Sequence, residues 1–172
     1  ASRRAHDFDL AVTSELALTG YPPCDLFLNE EFVQRCWQAL RELAGELADL
    51  PPVLVGLAEP NTTAWGRPLF NSAALIRGGV VEETFQKSML SGCDLFCEGR
   101  YFQPGEVPRI LQIKGKSLGI LIGEPFKGSS IKEPGDRLDP IAELRALGAD
   151  IIVNLSASPF TAGVQQYREA ML

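Results

Sequence analysis

Residues 118–128, LGILIGEPFKG, constrain this chain more than any other stretch. The apolar run Leu118, Ile120, Leu121 and Ile122 reads as a buried strand, and it stops abruptly at Gly123-Glu124-Pro125. Glycine at a strand end lets the backbone turn sharply with positive φ, and proline keeps the ladder from continuing. In many α/β enzymes the reactive atom sits where a buried strand gives way to a tight turn, because a side chain there is held up and exposed. Here the elbow position carries no side chain.

At 172 residues the chain is one domain's worth, long enough to bury a core. A net charge of −6 and a pI near 4.9, with no basic cluster, argue against nucleic acid or an anionic membrane as partner. The apolar runs are far too short to span a bilayer. The opening ASRRAHDFDL lacks the apolar region of a signal peptide, so the cytoplasm is the expected compartment. Cys24, Cys36, Cys93 and Cys97 are therefore expected as free thiols. Cys93 and Cys97 have a C-x-x-x-C spacing, but no histidine or second cysteine pair lies near, so no metal is expected. The single histidine, His6, would have to serve any Ser–His–Asp triad. A base in this chain is better sought among carboxylates and lysines.

Phe8, Leu10 and Val12 alternate with strand period, and Glu15 sits just past that strand, before a turn at Gly20 and Pro22-Pro23. Asn29 predicts the N-cap of a helix reaching about residue 48, with Phe32, Val33, Cys36, Leu40, Leu43 and Leu47 on one face. A buried strand is expected at 53–57, then a polar loop at 59–68 and a hairpin pairing 71–76 with 80–85 around Gly78-Gly79. Lys87 follows the hairpin, and 88–108 reads as a long irregular loop of the functional kind. A second hairpin pairs 110–113 with 117–122. A helix capped at Asp139-Pro140 runs to Leu147 and stops at Gly148, and 151–153 reads as another buried strand. A last helix begins at Gln165. This mixture predicts an α/β fold with mixed sheets, in which functional groups gather outside strand ends. Four such ends carry polar groups: Glu15, Lys87, Gly123-Glu124 and residues 154–158.

SELALTGYPP at 14–23, the lysine at 87, CEGRYFQPG at 97–105, GILIGEP at 119–125 and NLSASPF at 154–160 together resemble the nitrilase, or carbon–nitrogen hydrolase, superfamily. Within it the likeness is to the glutamine amidase domain of glutamine-dependent NAD synthetases, and it extends through VGLAEP and FNSAALI. The resemblance implies a nitrilase-type αββα four-layer sandwich, with residues 1–172 forming a single amidase domain incomplete at both ends. It implies Glu15 as general base, Lys87 as oxyanion stabiliser and Glu98 as the carboxylate that holds the lysine. Tyr21, Glu124 and Ser156 match positions that contact glutamine or another small amide. It further implies a homo-oligomer and a synthetase domain, absent here or on another chain, to which ATP and the NAD precursor belong. No cofactor is implied for the amidase domain itself.

The nucleophile position of that family falls on Gly123, where the family reads I-C-E-D and this chain reads Ile122-Gly123-Glu124-Pro125. Departures cluster around it: Ser14 replaces a proline, Cys93 and Lys127 replace aromatics, Cys97 an aspartate and Val164 a lysine. Scaffold motifs are kept while pocket-lining ones are altered. Two readings follow: an amidase of glutaminase ancestry that is inactive as written, or a non-catalytic scaffold or amide-binding module.

Overall fold

Two sheets carry the fold in the computed structural model of the chain, which describes residues 8–90, 97–106, 108–123, 139–158, 163, 165, 166 and 169. The first has the order β1-β2-β3-β4, from β1 (Ala11–Val12), β2 (Val53–Pro60), β3 (Leu69–Arg77) and β4 (Val80–Gln86). The second has the order β5-β6-β7, from β5 (Ile110–Ile113), β6 (Lys116–Ile122) and β7 (Ile151–Leu155). β1 is parallel to β2 and β7 is parallel to β6, while the hairpins β3–β4 and β5–β6 are antiparallel, so both sheets are mixed.

The sheets meet through one apolar layer. Leu54, Ala73, Leu75 and Phe85 of the first sheet pack against Leu111, Ile113, Leu118, Ile120, Ile122 and Leu155 of the second. On the outer face of the first sheet lies α1 (Glu30–Glu46), whose Leu40 and Ala44 pack on Val53, Val55, Leu57, Ala74 and Ile76. α3 (Pro140–Ala146) covers the second sheet at β6, with Leu144 fully buried. Helix, sheet, sheet, helix is the expected four-layer order. No helix among the described residues is long and apolar enough to cross a membrane.

Both expected caps form. The Asn29 side chain accepts from Phe32 N at 3.1 Å, and Asp139 accepts from Ile141 N and Ala142 N at 3.0 and 3.1 Å. Gly148 stops α3 in the left-handed region.

Three expectations are corrected. β2 runs on to Pro60, because its ladder with β3 continues to the Pro60–Leu69 pair, so the loop expected at 59–68 begins later. β1 is only two residues long, and Phe8 and Val12 are largely exposed, since the strand lies at a sheet edge. β7 is not a buried strand. Ile151 and Ile152 are 50% and 37% exposed, because β7 is the edge of its sheet and pairs with β6 alone among the described residues. Inside the expected loop at 88–108 a one-turn helix, α2 (Glu98–Tyr101), is formed. Most of the helix expected from Gln165 lies outside the described residues, as do His6 and Cys93.

Candidate active site

Glu15 is placed by a close approach of backbones. In β2, Gly56 has no side chain, and an added β-carbon would lie 2.7 Å from Leu16 N, so only glycine lets the 14–16 turn settle there. The turn is held by Leu18 N donating to Gly56 O at 3.0 Å, and by Gly56 N donating to Thr13 Oγ1 at 3.0 Å. Leu16 itself has φ 52, a left-handed conformation costing about 1–2 kcal/mol outside glycine. Such strain persists where surrounding packing over-determines it, and Leu16 is 1% exposed.

Lys87 leaves the end of β4 on the face turned toward the second sheet. Its backbone N–H donates to Asn71 O and its carbonyl accepts from Gly105 N, both at 2.8 Å. Glu98 opens α2, directly after Cys97 in the left-handed region at φ 41. That helix is fastened by Tyr101 and Phe102, whose rings pack edge-on with Phe27 at centroid distances of 5.7 and 5.0 Å. The Tyr101 hydroxyl donates to Asp25 at 2.6 Å. This hydrogen bond, followed by burial, pushes the Tyr101 phenol above its ordinary pKa.

The three chargeable side chains converge. Lys87 Nζ donates to Glu15 Oε1 and to Glu98 Oε1, each at 2.8 Å. All three are buried, at 2% exposure for both glutamates and 3% for the lysine. Two carboxylates and one ammonium leave one formal negative charge in the interior, so further donors are needed. Two arrive at Glu15: Asn71 Nδ2 donates to Oε1 at 2.7 Å, and Ala157 N donates to Oε2 at 3.1 Å.

Gly123 ends β6 beside this cluster. Its N–H donates to Leu155 O at 2.7 Å, and its φ is +84, so the elbow turn is present. An ideal β-carbon on Gly123 would touch Lys87 Nζ, and would stand 2.6 Å from Lys87 Cε and 3.6 Å from Glu15 Oε1. The position therefore faces Glu15 and Lys87, and the lysine end occupies the space a side chain there would take.

The structure thus brings Glu15, Lys87, Glu98 and Gly123 together. Ser156 lies on the loop whose next residue, Ala157, bonds Glu15, and its hydroxyl shares a 2.8 Å hydrogen bond with Ser158. Tyr21 is half-buried against the cluster holding Leu16, Phe27 and Tyr101. Glu124 lies outside the described residues. No group of three or more His, Cys, Asp or Glu that could hold a metal ion occurs among the described residues, and Cys24 and Cys36 are free thiols. Burial raises the Cys36 thiol.

Sequence reasoning passed over Asn71. It is fully buried, and its Oδ1 has no hydrogen-bond partner, the one such side-chain atom among the described residues. A buried acceptor left unpaired costs about 1–3 kcal/mol. The signal was available: Asn71, Ala73 and Leu75 share the inward face of β3, and only the first is polar.

The fold is that of the nitrilase superfamily. An amidase of that superfamily from Nesterenkonia AN1 superposes with TM-score 0.67 at 22% identity, covering 91% of this chain and 55% of that one. The glutamine-dependent NAD+ synthetase from Acinetobacter baumannii superposes with TM-score 0.77 at 28% identity, over 96% of this chain and 29% of the other. In sequence, the glutamine-dependent NAD(+) synthetase of Synechocystis sp. is 34% identical over 98% of this chain and 31% of its own length. No protein-family model matches the chain. The chain therefore has the nitrilase-superfamily fold and resembles one region of glutamine-dependent NAD synthetases over nearly its whole length. It spans about three-tenths of the curated relatives it matches, 31% and 29% for two of them.

Proposed function

We propose that this chain is an amidase domain of the glutaminase type found in glutamine-dependent NAD synthetases, and that as written it does not hydrolyse glutamine. The observation that carries this is the position of Gly123. A side chain there would face Glu15 Oε1 at about the reach of a hydrogen-bonded thiol, yet none exists. In the family's reaction Glu15 would take the proton of the nucleophile and Lys87 would stabilise the oxyanion, with Glu98 orienting the lysine. Tyr21, Glu124 and Ser156 would hold the amide substrate. Without an attacking atom the remaining groups can orient an amide but cannot form the acyl intermediate. Nucleophile removal in comparable enzymes costs on the order of 10⁶ in turnover.

The reading as a non-catalytic scaffold or amide-binding module draws support from the lysine. Its end occupies the space of a nucleophile's β-carbon, where it is held by two carboxylates. Assembly as a homo-oligomer, with ammonia passed to a synthetase domain that uses ATP, belongs to the same proposal.

Ammonia release from glutamine tests it. The natural chain is expected to give none above background, and Gly123→Cys to give measurable release once the flexible lysine end withdraws. Stoichiometric labelling of the natural chain by a glutamine-directed electrophile, at Cys93 or Cys97, would overturn the proposal.

A further inference from the structure

We propose, resting on the amidase reading above, that Asn71 is the positioning residue of this site. Its side-chain amide fixes Glu15 Oε1, and its backbone carbonyl fixes the strand end that carries Lys87. One residue thereby sets the separation of base and lysine.

The geometry leaves few alternatives for this position. A carboxylate oxygen 2.7 Å away can be met only by the NH2 end of the amide, because the other end would set two acceptors against each other. That orientation leaves Oδ1 unpartnered in the interior. An apolar residue of similar volume would remove the orphaned oxygen but would also take a donor from the buried Glu15 carboxylate, so the asparagine is kept for the carboxylate it serves. Aspartate would add a third carboxylate to a cluster that already holds two against one ammonium. Serine is too short to reach. Asparagine is the neutral side chain that donates to Glu15 from β3 and still fits between the sheets.

The backbone link is as direct. Lys87 N donates to Asn71 O at 2.8 Å just past the last ladder pair, Ser72–Gln86, so β3 and the lysine move as a unit. Glu15 and Lys87 are 72 residues apart in sequence, yet both are tied to Asn71 by a single hydrogen bond each.

The test uses a reactive thiol rather than turnover. In Gly123→Cys the alkylation rate at residue 123 by iodoacetamide is followed across the neutral pH range by peptide mass spectrometry, which separates it from the other cysteines. Adding Asn71→Leu is expected to slow that alkylation about tenfold and to displace its pH profile, along with a lower melting temperature because buried Glu15 loses a donor. Asn71→Ser, which keeps a small polar group but cannot reach Oε1, is expected to do the same and serves if the leucine variant does not fold. A merely structural role would lower the melting temperature and leave the pH profile in place. An unchanged rate and profile in both double variants overturns the assignment while leaving the amidase reading intact. A thiol no more reactive in Gly123→Cys than in an unfolded peptide sinks the amidase reading, and the assignment with it.

Discussion

On the first sheet, Glu15, Asn71 and Lys87 are fixed by backbone and side-chain hydrogen bonds and lie behind a layer covered by α1. On the second, Gly123 ends β6 beside an edge strand whose isoleucines are partly exposed. The charged half, the acid–base half of the proposed reaction, keeps features that cost stability: left-handed Leu16, the orphaned Asn71 Oδ1 and a buried ion cluster. The elbow half keeps its turn but no reactive group. Costly arrangements persist when something over-determines them. In this chain they survive on the side that the proposed function would use to orient a substrate, while position 123 on the other side carries no side chain.

The largest effect expected from breaking this contrast comes from Lys87→Ala. It leaves two buried carboxylates facing each other without a cation, a loss of about 3–5 kcal/mol in a urea unfolding curve. Exchanging the whole cluster, as Lys87→Met with Glu15→Gln and Glu98→Gln, is expected to recover most of that loss, since neutral groups of similar volume need no counter-charge. Wild-type stability in Lys87→Ala would mean the cluster is solvated, and the two halves would no longer differ in kind.

A smaller pair of effects sharpens the same contrast. Gly56→Ala places a β-carbon 2.7 Å from Leu16 N, and backbone cannot swing aside, so a loss of about 1–3 kcal/mol is expected. Gly123→Ala meets the end of the Lys87 side chain instead, which can pivot about its contacts with Glu15 and Glu98 where backbone cannot, so its main cost is the left-handed φ, about 1–2 kcal/mol. Thermal melts of the two variants should rank in that order. The reverse order would make the elbow the more rigid half.

What was legible in the sequence follows the same division. Helix caps, hairpin glycines and the apolar alternation of the strands are local signals, and Asn29, Asp139, Gly78-Gly79 and β6 fall where those signals put them. The meeting of Glu15 with Lys87 is not local; the strand-end pattern offered both as candidates and motif likeness paired them, since no spacing rule reaches across 72 residues. Asn71 stayed hidden because one polar residue at a strand start is ordinary until the register turns it inward. The exposure of β7 was also out of reach, since an apolar run reads alike whether its strand is central or at an edge.

The smallest expected effect concerns the clasp that seats Glu98. Tyr101 reaches Asp25 across the turn after Pro23, and that hydrogen bond raises its phenol above the ordinary value of about 10. The folded state therefore keeps its proton longer than the unfolded chain does. The resulting stabilisation is fully present below about pH 10 and is lost as pH rises through the folded-state value. An alkaline absorbance titration should show a tyrosine phase displaced to high pH that belongs to Tyr101. Asp25→Ala is expected to bring that late phase down toward the ordinary range, because the acceptor and its charge leave together. A late phase that survives the substitution would assign the shift to burial instead. α2 would then be seated by Phe27 and Phe102 packing alone, and the acid–base half would owe one of its carboxylates to apolar contact instead of a polar clasp.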